Sequence, residues 1–417
     1  MSEDLFELSR QLLSGETSIG DHHPLRMGTQ AAIQLVTESV IFVESFANAI
    51  ATRTGAGLVL VDGGSPLHAQ AIFGAVRSWT DERLDTAIYT HGHVDHIYAI
   101  RNFEAEGNGP ARVVAHQAVP DRFKRYELTN GYNGVINQRQ FQLGGPLFPA
   151  GYRYPDETYN DSLDVTVGGT EFSLHHDRGE TDDGTWVWMP QAKILCTGDL
   201  FIWASPNCGN PQKAQRYCDE WAVALRKMAA LGAEFLLPGH GLPIAGADVI
   251  RGVLEDTATY LESLFTQTIE MMNSGARLDE IIHTVQPAAE VSDRPWLQPV
   301  YDEPEFIVRN IWRLYGGWYD GNPANLKPAA DRALATELAT LAGGADKLSE
   351  RALELSNVGE HRLASHLVEM ASLAAPDVAE VRSARATVFA ARGQTETSTM
   401  AKGVFAWAAN ESTDQPE

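Results

Sequence analysis

Basic residues are scarce in this chain. Lys and Arg number 32 against 55 Asp and Glu, leaving a formal net charge of −23 over 417 residues. A nucleic-acid-binding face needs clustered cations, so the imbalance argues against that class of partner. It also means that an anionic substrate must be drawn in by local positive charge, such as a bound metal pair, against the overall field. Cysteine is equally sparse. Cys196, Cys208 and Cys218 are odd in number and form no C-x-x-C pair, which excludes a disulfide framework or a zinc knuckle and predicts reduced thiols. No apolar run reaches the length of a membrane span. The opening stretch MSEDLFELSRQLLSGETS is acidic where a signal peptide would be basic, which predicts a cytoplasmic protein with no membrane partner.

What the chain does have is length for two or three domains and a clear change of pattern along it. Residues 1–30 read as a helix and a polar lead-in. VIFVESF and GLVLVDGG follow as apolar, β-rich runs ended by turn signals. A helix is expected over 66–79, then strand DTAIYT, a helix from Ile97 and strand ARVVAH. Residues 128–165, with NGYNG, GGP and YPDETYND, read as a long loop. EFSLHH, TWVWM and KILCTG are three further strands; a helix over 213–231 precedes strand EFLLPGH. This alternation predicts a layered α/β domain over 1–245. From residue 246 the periodicity is helical only, predicting a separate all-α domain over 246–417. Within it, residues 348–393 resemble helical hairpins, about one tetratricopeptide-like unit and part of a second.

The densest chemistry lies in IYTHGHVDHIYAI, residues 88–100. His91 and His93 are two apart, so on an extended chain both imidazoles project to one side. Asp95 and His96 stand just beyond, where the chain should turn, and address a second point nearby. Neutral imidazoles with carboxylates suit zinc, and with more oxygen ligands manganese or iron. Asp199, in the GDL that follows KILCT, and His240, in LLPGHG, each close an apolar strand. Strand ends are where α/β proteins gather residues distant in sequence.

HGHVDH, TGDLF and PGHG together resemble the metallo-β-lactamase superfamily, whose fold is an αββα sandwich. The resemblance implies that one metal takes His91, His93 and Glu180, and that the other takes Asp95, His96 and His240. Asp199 then bridges them, beside a water or hydroxide, and Asp95 and Asp199 sit at the reacting centre. Glu180 occupies the slot, in HDRGETDDGT, where the superfamily usually has a histidine; His175 and His176 on the preceding strand are its rivals. By this count three carboxylates offset two dications and one hydroxide, so the pair is nearly neutral. Zinc is the expected metal, with manganese or iron as alternatives.

A glutamate in that slot is a feature of the alkyl sulfatases, and YDEPEFIVRNIWRLYGGWYDGNPANLKP, residues 301–328, resembles their dimerisation domain. GEHRLASHLVEMASLAAPD resembles the helical segment that follows it, so the resemblance runs from about residue 30 to the end. It implies a homodimeric enzyme that releases sulfate from a small-molecule alkyl sulfate by cleaving the carbon–oxygen bond. The family's further lipid-carrier-like domain is not in the sequence, which favours a small or medium alkyl group. The arginine that contacts sulfate in the family is replaced near Gln212; Asn207 matches the family stretch, and Lys213, Arg216 and Arg139 are the candidate anion holders. A hydrolase of another ester class, acting on a lactone, thioester or carboxylic ester, is the alternative, because an acidic surface suits an uncharged substrate.

Overall fold

Residues 4–23, 25 and 31–413 are described by the computed structural model. The rest of the expected polar lead-in lies outside them. Helix α1 (Leu5–Ser14) is capped by Asp4, whose carboxylate accepts from the Phe6 and Glu7 amides. Then β1 (Ala32–Thr37), β2 (Val40–Glu44), β3 (Ala49–Arg53) and β4 (Leu58–Val61) form an antiparallel run. Sequence pattern found only β2 and β4 of these four. β1 is amphipathic and half-buried, and β3 is a short Ala- and Thr-containing strand that its neighbours bury. Such segments become strands through ladder pairing more than through their own pattern.

After α2 (Ala69–Trp79), β5 (Leu84–Ile88) joins β4 in parallel. Next come α3 (Ile100–Glu104), β6 (Arg112–His116), α4 (Val119–Leu128), α5 (Asn130–Phe141) and β7 (Glu157–Tyr159). The first sheet runs in spatial order β1 to β7, parallel from β4 onward. Ile72 and Val76 of α2, Phe103 of α3 and Phe123 of α4 pack on its Ile41, Leu60, Ala87 and Val113. The expected loop over 128–165 needs correction, since twelve of its residues are helix α5. Gly131 and Gly134 disfavour a helix by propensity. However, a Cβ at Gly134 would strike the Pro146 carbonyl, so the glycine is there for close packing of the following segment.

The second sheet has the order β13-β12-β11-β10-β9-β8. Its strands are β8 (Ser162–Val167), β9 (Thr170–His176), β10 (Thr185–Met189), β11 (Ile194–Ile202), β12 (Phe235–His240) and β13 (Ile244–Ala245). All pairs are antiparallel except β11 with β12. Helix α6 (Cys218–Ala229) covers β11 and packs against α7 (Ala247–Asn273). It starts later than the expected residue 213, because 213–217 instead form a loop whose Tyr217 amide donates to Gly179. The two sheets meet at their strand ends: Thr185 donates its amide to the Thr90 carbonyl at 2.6 Å, and the Asn48 side chain donates to Pro238 and Gly241.

From α7 onward all regular structure among the described residues is helical. It comprises α8 (Leu278–Thr284), α9 (Ala289–Ser292), α10 (Pro304–Gly316), α11 (Pro323–Leu326), α12 (Asp331–Ala342), α13 (Ala345–Asn357), α14 (His361–Ala374), α15 (Ala379–Thr395) and α16 (Thr399–Thr413). Two compact units emerge. The first holds both sheets together with α7, α9 and most of α10; the second comprises 131–148, 276–279 and 316–417. In the second, α13 to α16 stack as hairpins on Ala352, Leu355, Ala364, Val368, Val388 and Phe389. Among the described residues no helix is long and apolar enough to cross a membrane.

Candidate metal centre

The loop from β5 to α3 carries His91, His93, Asp95 and His96. The turn after β9 carries Glu180, the second half of β11 carries Asp199, and the end of β12 carries His240. The fold collects all seven. His91, His93, Glu180 and Asp199 form one group of candidate metal ligands, and Asp95, His96 and His240 a second. Asp199 addresses both. Its Oδ2 lies 3.6 Å from His91 Nε2 and 3.3 Å from His240 Nε2, while its Oδ1 lies 3.5 Å from His96 Nε2. Glu180 Oε2 is 3.7 Å from His93 Nδ1 and 4.0 Å from His91 Nε2. Asp95 Oδ2 stands 3.5 Å from His240 Nε2 and 3.9 Å from His96 Nε2. The close approach of β11 and β12 here requires Gly239, because a Cβ at that position would collide with the Asp199 carboxylate.

These separations are too long for hydrogen bonds in the main, and they surround two points. His91 Nε2, His96 Nε2, Glu180 Oε2 and Asp199 Oδ1 are buried without a hydrogen-bond partner among the described residues. Buried polar atoms are ordinarily paired, so four orphans converging on one place mark a site built for something else. Nitrogen and oxygen donors in these numbers fit a pair of divalent cations. The electrostatics agree. Burial, then His96, pushes His91 down to about 4, and burial holds His93 well below its ordinary value, so both imidazoles are neutral and ready to donate. Burial and then the adjacent Asp199 raise Glu180 well above the carboxylate range. Burial would raise Asp199 too, yet His240, His96 and His91 hold it low. Two buried carboxylates so close together are relieved by a cation between them.

A second ring of side chains fixes the first, and most of it was not found from sequence. Asp62 closes β4 in the left-handed region, at φ 58°, a conformation that costs a non-glycine residue on the order of 1 kcal/mol. It accepts the Thr90 amide at 2.8 Å, the Thr90 hydroxyl at 2.7 Å and His96 Nδ1 at 2.8 Å. Thr90 Oγ1 in turn lies 3.1 Å from His91 Nδ1. Asp183 accepts from the Gly92 amide at 3.1 Å and from Arg122 Nε at 2.6 Å, and Arg122 also pairs with Asp182. His240 Nδ1 is bonded to the Phe46 carbonyl. Only Asp62 left a trace in the sequence, as a carboxylate ending the buried run LVLV.

The other expected residues divide. His175 stacks on Trp186 with ring centroids 4.1 Å apart. His176 stacks on His116 at 3.6 Å and engages the Gly184 carbonyl through Nδ1. Neither belongs to the two ligand groups. Asn207 donates Nδ2 to Glu180 Oε1. Arg216, expected as an anion holder, is buried, with Nη2 on Glu180 Oε1 at 3.1 Å, Nε on the Asn207 carbonyl at 2.6 Å and Nη1 on the Ala214 carbonyl at 3.0 Å. The charge count therefore omitted a buried cation beside Glu180 and a buried carboxylate, Asp62, beneath His96. Lys213 is half-buried; burial first, then Arg216, lowers its ammonium to about 8, while Asp95 and Glu180 pull the other way. Arg139 lies on α5 in the second unit.

Residues 43–240 match the model of the metallo-beta-lactamase superfamily, and residues 277–415 that of the alkyl sulfatase dimerisation family. A linear primary-alkylsulfatase of Pseudomonas sp. is 27% identical over 337 residues, covering 75% of this chain and 63% of the relative. An (R)-specific secondary-alkylsulfatase of Pseudomonas sp. is 26% identical over 359 residues, covering 77% and 54%. The chain thus spans between half and two thirds of the length of these relatives. The stereoselective inverting sec-alkylsulfatase Pisa1 from Pseudomonas sp. shares the fold, with a TM-score of 0.82 at 23% identity over 93% of this chain and 66% of that one.

Proposed function

From the match of residues 43–240 to the metallo-beta-lactamase superfamily and of residues 277–415 to the alkyl sulfatase dimerisation family, we propose that the chain is a dinuclear-metal hydrolase releasing sulfate from a small or medium alkyl sulfate ester. The observation that carries this reading is Glu180, a carboxylate with one oxygen among the histidines and the other clamped by Arg216 and Asn207. In this reading His91, His93 and Glu180 hold one cation, Asp95, His96 and His240 hold the other, and Asp199 touches both. Two zinc ions are the proposed complement. When bound, they would ionise a water near neutral pH and polarise an ester oxygen.

The protein's own part is to fix these ligands and to hold the substrate. Asp62 keeps His96 with Nδ1 engaged and Nε2 directed at the site, and the Phe46 carbonyl does the same for His240. Arg216 is committed to Glu180, which leaves Lys213 as the cation proposed to hold the sulfate. Its response to Asp95 and Glu180 supports a position within their field. A lysine offers a point charge and no planar fork, so sulfate binding should be looser than with arginine. Arg139 has no role in this reading. Residues 1–245 supply the centre; residues 246–417 form the dimerisation region of a homodimer. The free, buried Cys196, Cys208 and Cys218 support a reducing, cytoplasmic setting.

The test is a substrate screen on metal-loaded protein that follows free sulfate and free acid in parallel. Sulfate release from short alkyl sulfates is expected. Turnover of a lactone, thioester or carboxylic ester with no sulfate release from any alkyl sulfate would replace this reading with the other ester class.

A further inference from the structure

The loop 205–217, which carries Asn207 and Arg216, is held from one side by the segment leading into α10. The Ser205 amide donates to the Gln298 carbonyl at 2.9 Å. Asp302, fully buried, accepts the Gly209 amide and, at 3.2 Å, the Asn210 amide on Oδ2, and its own Glu303 amide at 2.8 Å on Oδ1. Gly209 lies so close to the Phe306–Ile307 backbone that a Cβ there would overlap it. Further along, buried Asn310 on α10 donates Nδ2 to the Arg216 carbonyl at 3.0 Å. Its Oδ1 accepts from Gln215 Nε2 at 2.9 Å and from Arg313 Nη2 at 3.1 Å, and Arg313 Nε reaches Gln215 Oε1 at 2.9 Å.

Two side chains of this loop meet at one carboxylate oxygen. Arg216 and Asn207 both bond Glu180 Oε1, leaving Oε2 to face His91 and His93. A buried carboxylate free to rotate would present either oxygen at variable depth; the double clamp selects one. The clamp itself depends on Arg216, whose main chain is fixed by Asn310, and on Asn207, two residues from the amide that Asp302 holds.

We propose that Asn310 and Asp302 are positioning residues for Glu180, so that the α10 segment, within the dimerisation-family region, sets the metal affinity of the His91–His93–Glu180 pocket. The proposal rests on Glu180 being a ligand. Partners that orient ligands typically change metal affinity by 10- to 100-fold when removed, with the first set of ligands intact. Asn310→Asp turns the donor facing the Arg216 carbonyl into an acceptor. Asp302→Asn places an amide N–H against one of the N–H groups it now accepts.

Both variants of the full chain would be stripped of metal and titrated with zinc against a chelator, with cobalt(II) absorption as a second readout. Circular dichroism and thermal melting would check the fold. Thr336→Ala, on exposed α12, is the control. The expected result is one ion weakened about 10-fold or more, with a changed cobalt spectrum and the other ion held as before. Should Asn310→Asp not fold, Asp302→Asn carries the test. Unchanged affinity for both ions, or equal weakening of both in step with a lowered melting temperature, would overturn the proposal. Glu180→Gln separates the two levels. If it leaves both affinities unchanged, Glu180 is no ligand and the reading beneath the proposal fails; if it weakens one ion while the α10 variants do not, the positioning role alone fails.

Discussion

His96 Nδ1 lies 2.8 Å from Asp62 Oδ2, with both side chains buried. This contact fixes which ring nitrogen of His96 is left for the centre, and Nε2 accordingly faces Asp199 Oδ1 at 3.5 Å. Asp62→Ala should therefore weaken the ion held by Asp95, His96 and His240 by about 10- to 100-fold, although Asp62 itself is no candidate ligand. Chelator-competition titration measures this directly. Wild-type affinity in the variant would show that the contact is only structural.

The seven converging ligands predict close to two metal ions per chain by elemental analysis, zinc in the main. His93→Ala and Asp199→Ala should lose metal and activity together, because each removes a donor from the same group of four candidate ligands. Substantial turnover by metal-free protein would refute the two-metal reading.

Glu180 and the histidine pair can be separated by substitution. Glu180→Gln should weaken one ion, since a neutral amide is a poorer donor than a carboxylate. His175→Ala and His176→Ala should leave metal content as it was, because their rings are stacked on Trp186 and His116. Metal loss in the histidine variants alone would reverse the assignment.

The seven residues that converge were all named from the sequence, six because each sits at a strand end or in a tight motif, and Glu180 only through the family resemblance, with His175 and His176 as rivals. The supporting ring was not. Asp183, Arg122 and Asn310 come from a turn and two helices, and their partners lie tens of residues away, so no spacing announces them. Arg216 was expected to hold the anion and is bonded to Glu180, a pairing that sequence could not announce, since a cation near a sulfate site and a cation beside a glutamate look alike in one dimension. In the fold, strands with strong apolar runs were legible. β1, β3 and α5 were not, because pairing and a close glycine contact, not local pattern, decide them.

Asp302 gives a pH prediction. Burial, against three amide donors, raises it from its ordinary 3.8 to about 6. A carboxyl whose folded value is raised adds stability below its unfolded value, and that contribution disappears as pH rises through about 6. The change is up to about 3 kcal/mol. The advantage of wild type over Asp302→Asn should therefore shrink between pH 4 and 7. Urea unfolding at several pH values would measure it, and an advantage that grows with pH would contradict the assignment.

The dimer proposal places apolar surface of the helical region in an interface. Trp318 is 71% exposed and Leu341 82%, with Leu326 also open. These side chains supply apolar surface for such an interface to cover. Light scattering at micromolar concentration should report the mass of a dimer, whose obligate interface is expected to bury more than about 2,000 Å², and Trp318→Asp should shift the mass toward monomer. A monomeric wild type would exclude the homodimer.

The chemistry can be read from where the oxygen of water ends up. If water attacks carbon, sulfate departs with both its bridging oxygen and its charge, and the site must stabilise an anion that is leaving. If water attacks sulfur, as it would attack a carbonyl or phosphoryl centre, the alcohol departs and the new oxygen stays on sulfate. In the proposed reading Lys213 holds the anion, with Arg216 already paired to Glu180. Hydrolysis in oxygen-18 water should therefore place the label in the alcohol. Lys213→Ala should raise KM and lower kcat, with sulfate binding more salt-sensitive in wild type than in the variant, because a single ammonium acts as a point charge. Label in the sulfate would move the attack to sulfur, and unchanged kinetics in Lys213→Ala would leave the anion to another cation.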